Sequence, residues 1–219
     1  MTLRLVLMRH GQTHSNLRRV IDTRPPGANL TEKGQQQALS AGAELAEMCG
    51  PRISEAYCSV AVRTQQTAER VLGAYEGILG LQPGDVPIAV TEGIHEIDLG
   101  ELEGRDDHAA YEAYMENLAA WLRSDASAQA EGGETYLQLL DRYVPVLDAL
   151  IADHEGRDTD LLVVSHGGAI RTVAAHAASV DPQVALDAYI ANCQFVVLEP
   201  DGKPFGQWAV RYWAGHDVH

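Results

Sequence analysis

The chain has 219 residues, of which 46% are apolar, so it is long enough to bury one substantial hydrophobic core. Its formal net charge is -15, with 31 acidic against 16 basic side chains, which argues against a nucleic acid or an anionic membrane surface as partner. No apolar run reaches the roughly 20 residues of a membrane span, and the three cysteines lack the spacing of a zinc site or a disulfide framework. We therefore expect a cytoplasmic protein with a single domain over residues 1–219.

The N-terminal stretch predicts a strand that ends in reactive side chains. The apolar run Leu3–Met8 is followed at once by Arg9, His10 and Gly11. Residues 17–30 contain turn formers without an apolar period and predict a loop. Three arginines lie in this loop, namely Arg18, Arg19 and Arg24.

The next segment predicts a helix, a strand and a second helix. Thr31 is a helix cap before apolar residues that recur at every third or fourth position, and Gly50 ends that helix. Ile53–Cys58 predicts a short strand, and the helix after it displays Arg63 in its first turn. Ile88–Val90 predicts another short strand.

The segment 92–133 is predicted to be a lid or specificity insertion. Residues 92–108 have neither a helical nor an alternating pattern, are dense in acids, and form a loop longer than most in compact domains. Asp106 or Asp107 then caps a helix, and a small, polar connector follows at 124–133. The apolar face of that helix is predicted to contain Tyr111, Met115, Leu118 and Leu122.

The last third predicts two more helix and strand units and a hairpin. A long helix is expected over Thr135–Asp153, a fully buried strand over Asp160–Ser165, and a helix over residues 169–179. Asp181-Pro182 begins a further short helix, and Phe195–Leu198 with Trp208–Trp213 predicts a C-terminal hairpin. The expected apolar face of the long helix consists of Leu137, Leu140, Val144, Leu147 and Ile151.

Strands that alternate with helices indicate an α/β fold. We expect a three-layer α/β/α architecture with a mostly parallel central sheet, helices on both faces and an antiparallel hairpin at the C-terminal edge. Because an exposed edge strand can pair with another chain, a homodimer through this hairpin is one expectation.

Three of the predicted strands share one pattern, because polar residues and a helix start follow each of them directly. The first leads to Arg9 and His10, the second to Arg63, and the third to His166. If these strands are parallel neighbours, the four side chains meet at one edge of the sheet. Arginine forks match phosphoryl oxygens, and a histidine can attack phosphorus through one ring nitrogen when the other is held as a donor. The pattern therefore predicts a phosphate pocket.

Two other chemistries have less support from the residues. His10 and His14 are four residues apart, but the arginines of the predicted pocket would repel a divalent cation. Ser59 and Ser165 follow strands, yet both lack the Gly-x-Ser-x-Gly context of a serine nucleophile. We therefore expect no metal and no cofactor.

Six stretches of the chain, in order and spanning residues 3–170, resemble the histidine phosphatase superfamily, specifically its branch of phosphoglycerate mutase-like phosphatases. The matching stretches are Leu7–Thr13 with Asn16, Leu30–Gly34, Ser59–Ala68, Glu96 with Gly100 and Glu103–Gly104, Gly132–Thr135, and Val164–Gly168. Asn192 before the last strands also fits.

The resemblance implies a role for each matching residue. His10 resembles the nucleophile that becomes phosphohistidine. Glu96 resembles the general acid that protonates the leaving oxygen and then, as a base, activates water. The remaining pocket residues are Arg9, Arg63 and His166, with Asn16 as a supporting donor. His166 also belongs to the catalytic set.

The chain departs from true phosphoglycerate mutases at the positions that bind substrate. Those mutases carry a Trp-Asn pair after the first motif, a Gly-Trp in the next loop and a Glu-Arg-His-Tyr-Gly stretch around the acid. The corresponding stretches here are His14-Ser15-Asn16, Thr23-Arg24-Pro25-Pro26 and Glu96-Ile97-Asp98-Leu99-Gly100. These departures favour hydrolysis over phosphoryl exchange between two hydroxyl groups.

We therefore expect a metal-independent phosphomonoesterase whose partner is a small acidic or sugar phosphate. Two alternatives remain, a 2,3-bisphosphoglycerate-dependent phosphoglycerate mutase and a non-catalytic phosphate-binding or scaffold relative. Candidate substrate-binding residues are Thr23, Arg24, Arg18 and Arg19, although a solvated loop explains the same residues equally well.

Overall fold

The strands form where the sequence has its continuous apolar runs. The computed structural model describes residues 2–216, which contain one six-stranded sheet. The strands are β1 (Leu3–Arg9), β2 (Ile53–Ser59), β3 (Ile88–Thr91), β4 (Thr159–Ser165), β5 (Phe195–Glu199) and β6 (Ala209–Trp213). Their order across the sheet is β3-β2-β4-β1-β5-β6, and the first four run parallel while β5 and β6 are antiparallel to their neighbours. The predicted C-terminal hairpin is confirmed at one edge.

The helices begin at the residues whose side chains can cap them. They are α1 (His14–Arg18), α2 (Glu32–Cys49), α3 (Val62–Leu79), α4 (His108–Leu122), α5 (Tyr136–Asp153), α6 (Gly167–Ala177) and α7 (Pro182–Asp187). Thr31 Oγ1 accepts a hydrogen bond from the Gly34 amide at 3.0 Å, and Asp107 Oδ1 accepts one from the Ala110 amide at 3.1 Å. Thr135 closes a capping box at the start of α5.

The pleat of β1 sends alternate side chains into two separate cores. Leu5 and Leu7 pack with apolar residues of α4, α5, α6 and α7 on one face of the sheet. Val6 and Met8 pack with residues of α2 and α3 on the opposite face. The sheet is thus covered on both sides, which confirms the three-layer α/β/α architecture.

Two details differ from the sequence patterns. Residues 14–18 form the short helix α1, where the sequence predicted that a loop begins at residue 17, because Thr13 and Asn16 form a capping box that the apolar pattern does not reveal. The face of α5 is also shifted, since Leu137 is exposed. The buried residues of α5 are Tyr136, Leu139, Tyr143, Leu147 and Leu150. Tyr136 and Tyr143 belong to the face that is buried, and this face lies next to the one predicted from the aliphatic residues alone.

The acidic segment after β3 is anchored in the core by apolar side chains. Ile94, Ile97 and Leu99 are buried against the sheet face that α4–α7 cover. The helix that follows presents Leu118 and Leu122 inward as predicted, but Tyr111 is exposed. A lid or specificity role for 92–133 stays a prediction.

Within residues 2–216, none of the helices combines the length and the apolar character needed to cross a membrane.

Candidate active site

The three strands with polar ends are neighbours. β4 lies between β1 and β2, with Arg9 opposite Ser165 and Cys58 opposite Val164 in parallel register. The segments that follow these strands therefore leave the sheet at the same edge. The predicted convergence of the three segments is confirmed.

His10 is held as a neutral imidazole with one free nitrogen. Its side chain is buried, and Nδ1 lies 2.8 Å from the carbonyl oxygen of Gly11. Because a carbonyl oxygen can only accept, Nδ1 carries the proton and Nε2 keeps its lone pair. Burial, together with the positive charges of Arg63 and Arg9, holds the pKa of His10 well below its usual range. A neutral His10 at pH 7 has a nucleophilic nitrogen.

His166 is neutral for similar reasons but in the other tautomer. Its Nδ1 accepts a hydrogen bond from Arg63 Nε at 3.2 Å, so Nε2 carries the proton and donates to Ser59 Oγ at 2.7 Å. Burial and the charge of Arg63 hold the pKa of His166 well below its usual range. The rings of His10 and His166 meet edge to face, with centroids 5.2 Å apart. The two imidazoles thus share one pocket without bonding to each other.

Each of the two arginines carries a buried nitrogen without a partner among residues 2–216. Arg63 is 1% exposed, and the nearest carboxylate to its Nη1 is that of Asp22 at 3.8 Å, too far for a hydrogen bond. Arg9 Nη1 donates to the Tyr189 hydroxyl at 2.7 Å and to the Ile190 carbonyl at 2.8 Å, while Arg9 Nε has no partner. Buried cationic nitrogens without a hydrogen-bond partner are expected where an anion binds.

Two glycines leave the space that the guanidinium groups occupy. A Cβ atom at Gly27 would lie 1.9 Å from Arg63 Nη1, and a Cβ atom at Gly167 would lie 3.0 Å from Arg9 Nε. Gly27 also has a φ of +68°, a conformation that side chains rarely adopt. A side chain at Gly27 would therefore displace the Arg63 guanidinium.

Glu96 reaches the same edge from the acidic segment and is held by backbone amides. Its Oε1 accepts from Ala169 N at 2.7 Å and from Ile97 N at 3.0 Å, and its Oε2 accepts from Gly168 N at 3.0 Å. The amides of residues 168 and 169 belong to the first turn of α6, where backbone N–H groups have no partner within the helix. Glu96 is therefore fixed one turn from His166.

The backbone around Glu96 is bound by one arginine of α5. The Arg142 guanidinium donates to the carbonyls of Gly93, His95 and Glu96 at 2.7–2.9 Å and forms an ion pair with Glu134 at 2.8 Å. Burial acts to raise the pKa of Glu134, but the hydrogen bonds from Arg142 and from the Asp98 amide lower it overall. Glu134 therefore helps to anchor this segment.

The remaining predicted site residues are placed as follows. Asn16 Oδ1 accepts from Thr13 N at 3.1 Å and from the side chain of Asn192 at 3.2 Å, and Asn192 also donates to the His10 carbonyl at 3.0 Å. Asn16 is therefore joined to the His10 backbone through one side chain. Its amide group is oriented by these two bonds, which is what a supporting donor needs.

The candidate substrate-binding residues are largely engaged by acidic neighbours. Thr23 Oγ1 donates to Glu103 at 2.6 Å, and Arg24 pairs with Asp98 at 3.0 Å. Arg18 and Arg19 are exposed at the end of α1. Their role in binding substrate stays a prediction.

Sequence patterns missed four residues near the pocket. Thr67 Oγ1 accepts a hydrogen bond from the Gly11 amide at 3.0 Å, and Tyr189 binds Arg9 as described above. Tyr114 lies beside Glu96, since the hydroxyl oxygen of Tyr114 and Oε1 of Glu96 are each 3.0 Å from the position of a Cβ at Gly168. Arg171 lies on α6 and is buried. Two of the four have a signal in the sequence, because Thr67 belongs to the matching stretch Ser59–Ala68 and Arg171 is a lone arginine in an apolar helix.

No group of three or more His, Cys, Asp and Glu side chains suited to hold a metal ion occurs in the described part of the chain.

The structure is that of an α/β protein whose sheet edge gathers two neutral histidines and two arginines, each of which has a buried nitrogen without a hydrogen-bond partner among residues 2–216. The chain belongs to the histidine phosphatase superfamily, branch 1, whose family model matches residues 5–214.

Individual relatives agree with this assignment. The 2,3-bisphosphoglycerate-dependent phosphoglycerate mutase of Parvibaculum lavamentivorans is 29% identical over 91% of this chain and 91% of its own. The protein of the same name from Brucella ovis is 34% identical over 79% of this chain and 80% of its own. A mycobacterial glucosyl-3-phosphoglycerate phosphatase shares the fold, with a TM-score of 0.74 and 24% identity over 97% of this chain and 99% of the other.

Proposed function

We propose that the protein is a metal-independent phosphomonoesterase that hydrolyses a small acidic phosphate ester through a phosphohistidine on His10. The observation that carries this proposal is the combination of a free Nε2 on neutral His10 with two buried, unpartnered guanidinium nitrogens, on Arg9 and Arg63. A phosphate dianion supplies the acceptors that these donors lack, and it brings phosphorus to the nucleophile.

In the first step, His10 Nε2 attacks phosphorus and the bond from phosphorus to the ester oxygen breaks. Arg9 and Arg63 bind the phosphoryl oxygens and stabilise the charge that spreads over them during transfer. The carboxyl group of Glu96 gives its proton to the departing alcohol oxygen. The products of this step are the free alcohol and phosphohistidine on His10.

In the second step, water attacks the same phosphorus atom and the bond to His10 Nε2 breaks. The Glu96 carboxylate takes a proton from that water and returns to its acid form. Inorganic phosphate leaves, and His10 is again neutral with its Nδ1 proton on the Gly11 carbonyl. His166 stays in place as a second imidazole beside the phosphoryl group.

The acidic character of the substrate is supported by the named relatives. The mutases act on phosphoglycerate and the mycobacterial phosphatase on glucosyl-3-phosphoglycerate, according to their names, and both compounds carry a carboxylate. Hydrolysis is favoured over the mutase reaction because the Trp-Asn, Gly-Trp and Glu-Arg-His-Tyr-Gly stretches are replaced. The mutase reaction is the second candidate, since the curated relatives carry that name.

The direct test is phosphate release from 4-nitrophenyl phosphate and trapping of an acid-labile phosphoenzyme. His10→Ala is expected to lower turnover by about a thousandfold or more and to abolish the phosphoenzyme, because the nucleophile is lost. His14→Ala removes an exposed histidine four residues away and should leave both readouts unchanged. A chelator in the assay should have no effect.

Three outcomes would contradict the proposal. Turnover of His10→Ala near the wild-type level would show another nucleophile. Isomer formation from phosphoglycerate that exceeds phosphate release would indicate the mutase. A correctly folded protein that forms no phosphoenzyme with an activated ester would be a phosphate-binding relative without activity.

A further inference from the structure

Arg171 is a buried cation that the proposed reaction does not use. It lies in α6, and its relative exposure is 4%. Within residues 2–216 its guanidinium forms no ion pair, and its Nε has no hydrogen-bond partner. An arginine stays protonated in proteins, and a buried charge without a partner is costly. A protein keeps such a group where a ligand supplies the missing anion.

Arg171 faces the same space as the phosphate pocket. It follows Gly167 by four residues and Gly168 by three, so all three lie on one face of α6. A Cβ atom at Gly167 would lie 3.0 Å from Arg9 Nε, and one at Gly168 would lie 3.0 Å from Glu96 Oε1. Arg171 therefore continues, one turn further along the helix, the surface that lines the reacting groups.

One aromatic ring joins Arg171 to the pocket. The guanidinium carbon of Arg171 is 5.4 Å from the centroid of the Tyr189 ring, and that of Arg9 is 5.5 Å from the same centroid. The Tyr189 hydroxyl accepts a hydrogen bond from Arg9. Arg9 and Arg171 thus both lie against Tyr189, which is neutral and therefore does not neutralise either charge.

The other neighbours of Arg171 supply hydroxyl groups and no carboxylate. Tyr114 and Tyr111 of α4, like Tyr189 and Arg9, are close enough to Arg171 to interact with it electrostatically. Burial raises the pKa of Tyr114, so its hydroxyl is a neutral donor beside Glu96. A single positive charge surrounded by phenol groups matches a single negative charge.

We infer that Arg171, with the Tyr114 hydroxyl, binds a carboxylate on the alcohol part of the substrate, which makes the substrate a phosphorylated hydroxy acid. This inference rests on the proposed phosphatase activity. A carboxylate fits better than a second phosphate, because the phosphoryl pocket uses two arginines for its dianion and this site offers one. Arg9 and Arg171 both lie against the Tyr189 ring, so one small molecule can carry the phosphate and the carboxylate.

The arginines of the loop after α1 fit this role less well. Arg24 is already paired with Asp98, and Arg18 and Arg19 are exposed. Solvated arginines of this kind bind an anion weakly, because water and salt screen them.

The test compares two phosphate esters of the same length, 3-phosphoglycerate and glycerol 3-phosphate, which differ in a carboxylate against a hydroxymethyl group. The wild type should have a clearly higher kcat/KM for 3-phosphoglycerate. Arg171→Gln should lower that value about 10- to 100-fold, mainly through KM, because the charged partner of the carboxylate is lost. The values for glycerol 3-phosphate and 4-nitrophenyl phosphate should change less than about twofold.

Three further variants make the test specific. Arg171→Lys keeps the charge and should recover part of the preference for 3-phosphoglycerate. Tyr114→Phe removes one hydroxyl, keeps Arg171 in place, and should also reduce the preference for 3-phosphoglycerate. Arg70→Gln removes an exposed charge from α3 and should change nothing.

The outcomes separate this inference from the proposed function. Equal losses for all three esters in Arg171→Gln, or a wild type without preference for the carboxylate, would overturn the role of Arg171 while hydrolysis of 4-nitrophenyl phosphate still supports the phosphatase. No phosphate release from any of the three esters would overturn both.

Discussion

Glu96 is held differently from the other residues of the pocket. Arg9 and Arg63 keep unpartnered nitrogens, whereas both carboxyl oxygens of Glu96 already accept backbone hydrogen bonds. These bonds fix the plane of the carboxyl group against the start of α6. Only its remaining lone pairs can meet the substrate, so its position is set before the substrate binds.

Replacing Glu96 by Gln should slow the departure of alcohols that need a proton. We expect kcat/KM to fall about 100- to 10,000-fold for an alkyl phosphate, because general acid catalysis is lost, and to change little for 4-nitrophenyl phosphate. The value of kcat/KM reports the phosphorylation step, so a plot against the pKa of the leaving alcohol measures the effect. Glu92→Gln, at an exposed acid of the same segment, is the control. Equal losses for both esters would argue against an acid role.

Single residues could be predicted where their position in the chain determines their position in space. Arg9, His10 and His166 lie at the ends of strands, and parallel neighbouring strands bring such ends together. Arg171 was missed because its significance depends on Tyr114 and Tyr189, which come from segments far away in the chain. No pattern around residue 171 shows that its charge lacks a partner.

Helix α5 supports the segment that carries Glu96. Arg142 binds three carbonyls of residues 93–96 and the carboxylate of Glu134, and both charged side chains are largely buried. Arg142→Gln should therefore reduce the free energy of unfolding by about 1–3 kcal/mol, because it leaves a carboxylate and several carbonyls unpaired. Urea unfolding measures this loss.

An exposed pair on the C-terminal hairpin provides the control for this effect. Arg211 and Glu199 are also 2.8 Å apart, but the Arg211 side chain is 53% exposed. Arg211→Gln should cost less than about 1 kcal/mol. If the two variants lose the same stability, Arg142 does not hold the segment. If the losses of stability in Arg142→Gln and Glu134→Gln simply add up in the double variant, the two residues do not act as a pair.

Strands were predicted better than the faces of helices. β4 is a short apolar run buried on both sides, and nothing but a central strand suits it. Helix α5 has aliphatic residues on two adjacent faces, so its pattern alone does not choose between Leu140 and Leu139. The packing of Tyr143 against the sheet decides the choice, and that is a tertiary contact.

The distribution of charge over the molecule is uneven. The chain has a net charge of -15, yet Arg9 and Arg171 form no ion pair within residues 2–216. The acidic surface disfavours anions in general, while the sheet edge concentrates unpaired positive charge. Burial and the charges of Arg63 and Arg9 hold the pKa of His10 down, and burial and the charge of Arg63 hold down that of His166, which couples the site to the stability of the whole protein.

Acidification should destabilise the fold through these two histidines. In the unfolded chain a histidine takes up a proton near pH 6.5, whereas the folded protein resists this because its pKa is lowered by burial and by Arg63. Below pH 6.5 the unfolded state therefore binds more protons, and the free energy of unfolding falls as the pH falls. Each histidine makes the free energy of unfolding fall by up to about 1.4 kcal/mol per pH unit as the pH decreases below 6.5. Above pH 7 the histidines are neutral in both states, so this pH dependence disappears.

His10→Asn isolates this contribution, because asparagine keeps a polar side chain but does not titrate. Urea unfolding between pH 7.5 and 5.5 should give a shallower loss of stability for His10→Asn than for the wild type, by about 1 kcal/mol per pH unit below pH 6.5. His14→Asn, at an exposed position, should keep the wild-type slope. The acidic surface affects all three proteins alike, so it cancels in the comparison. Equal slopes for His10→Asn and the wild type would mean that folded His10 takes up its proton as the unfolded chain does, and the neutral nucleophile would be lost with it.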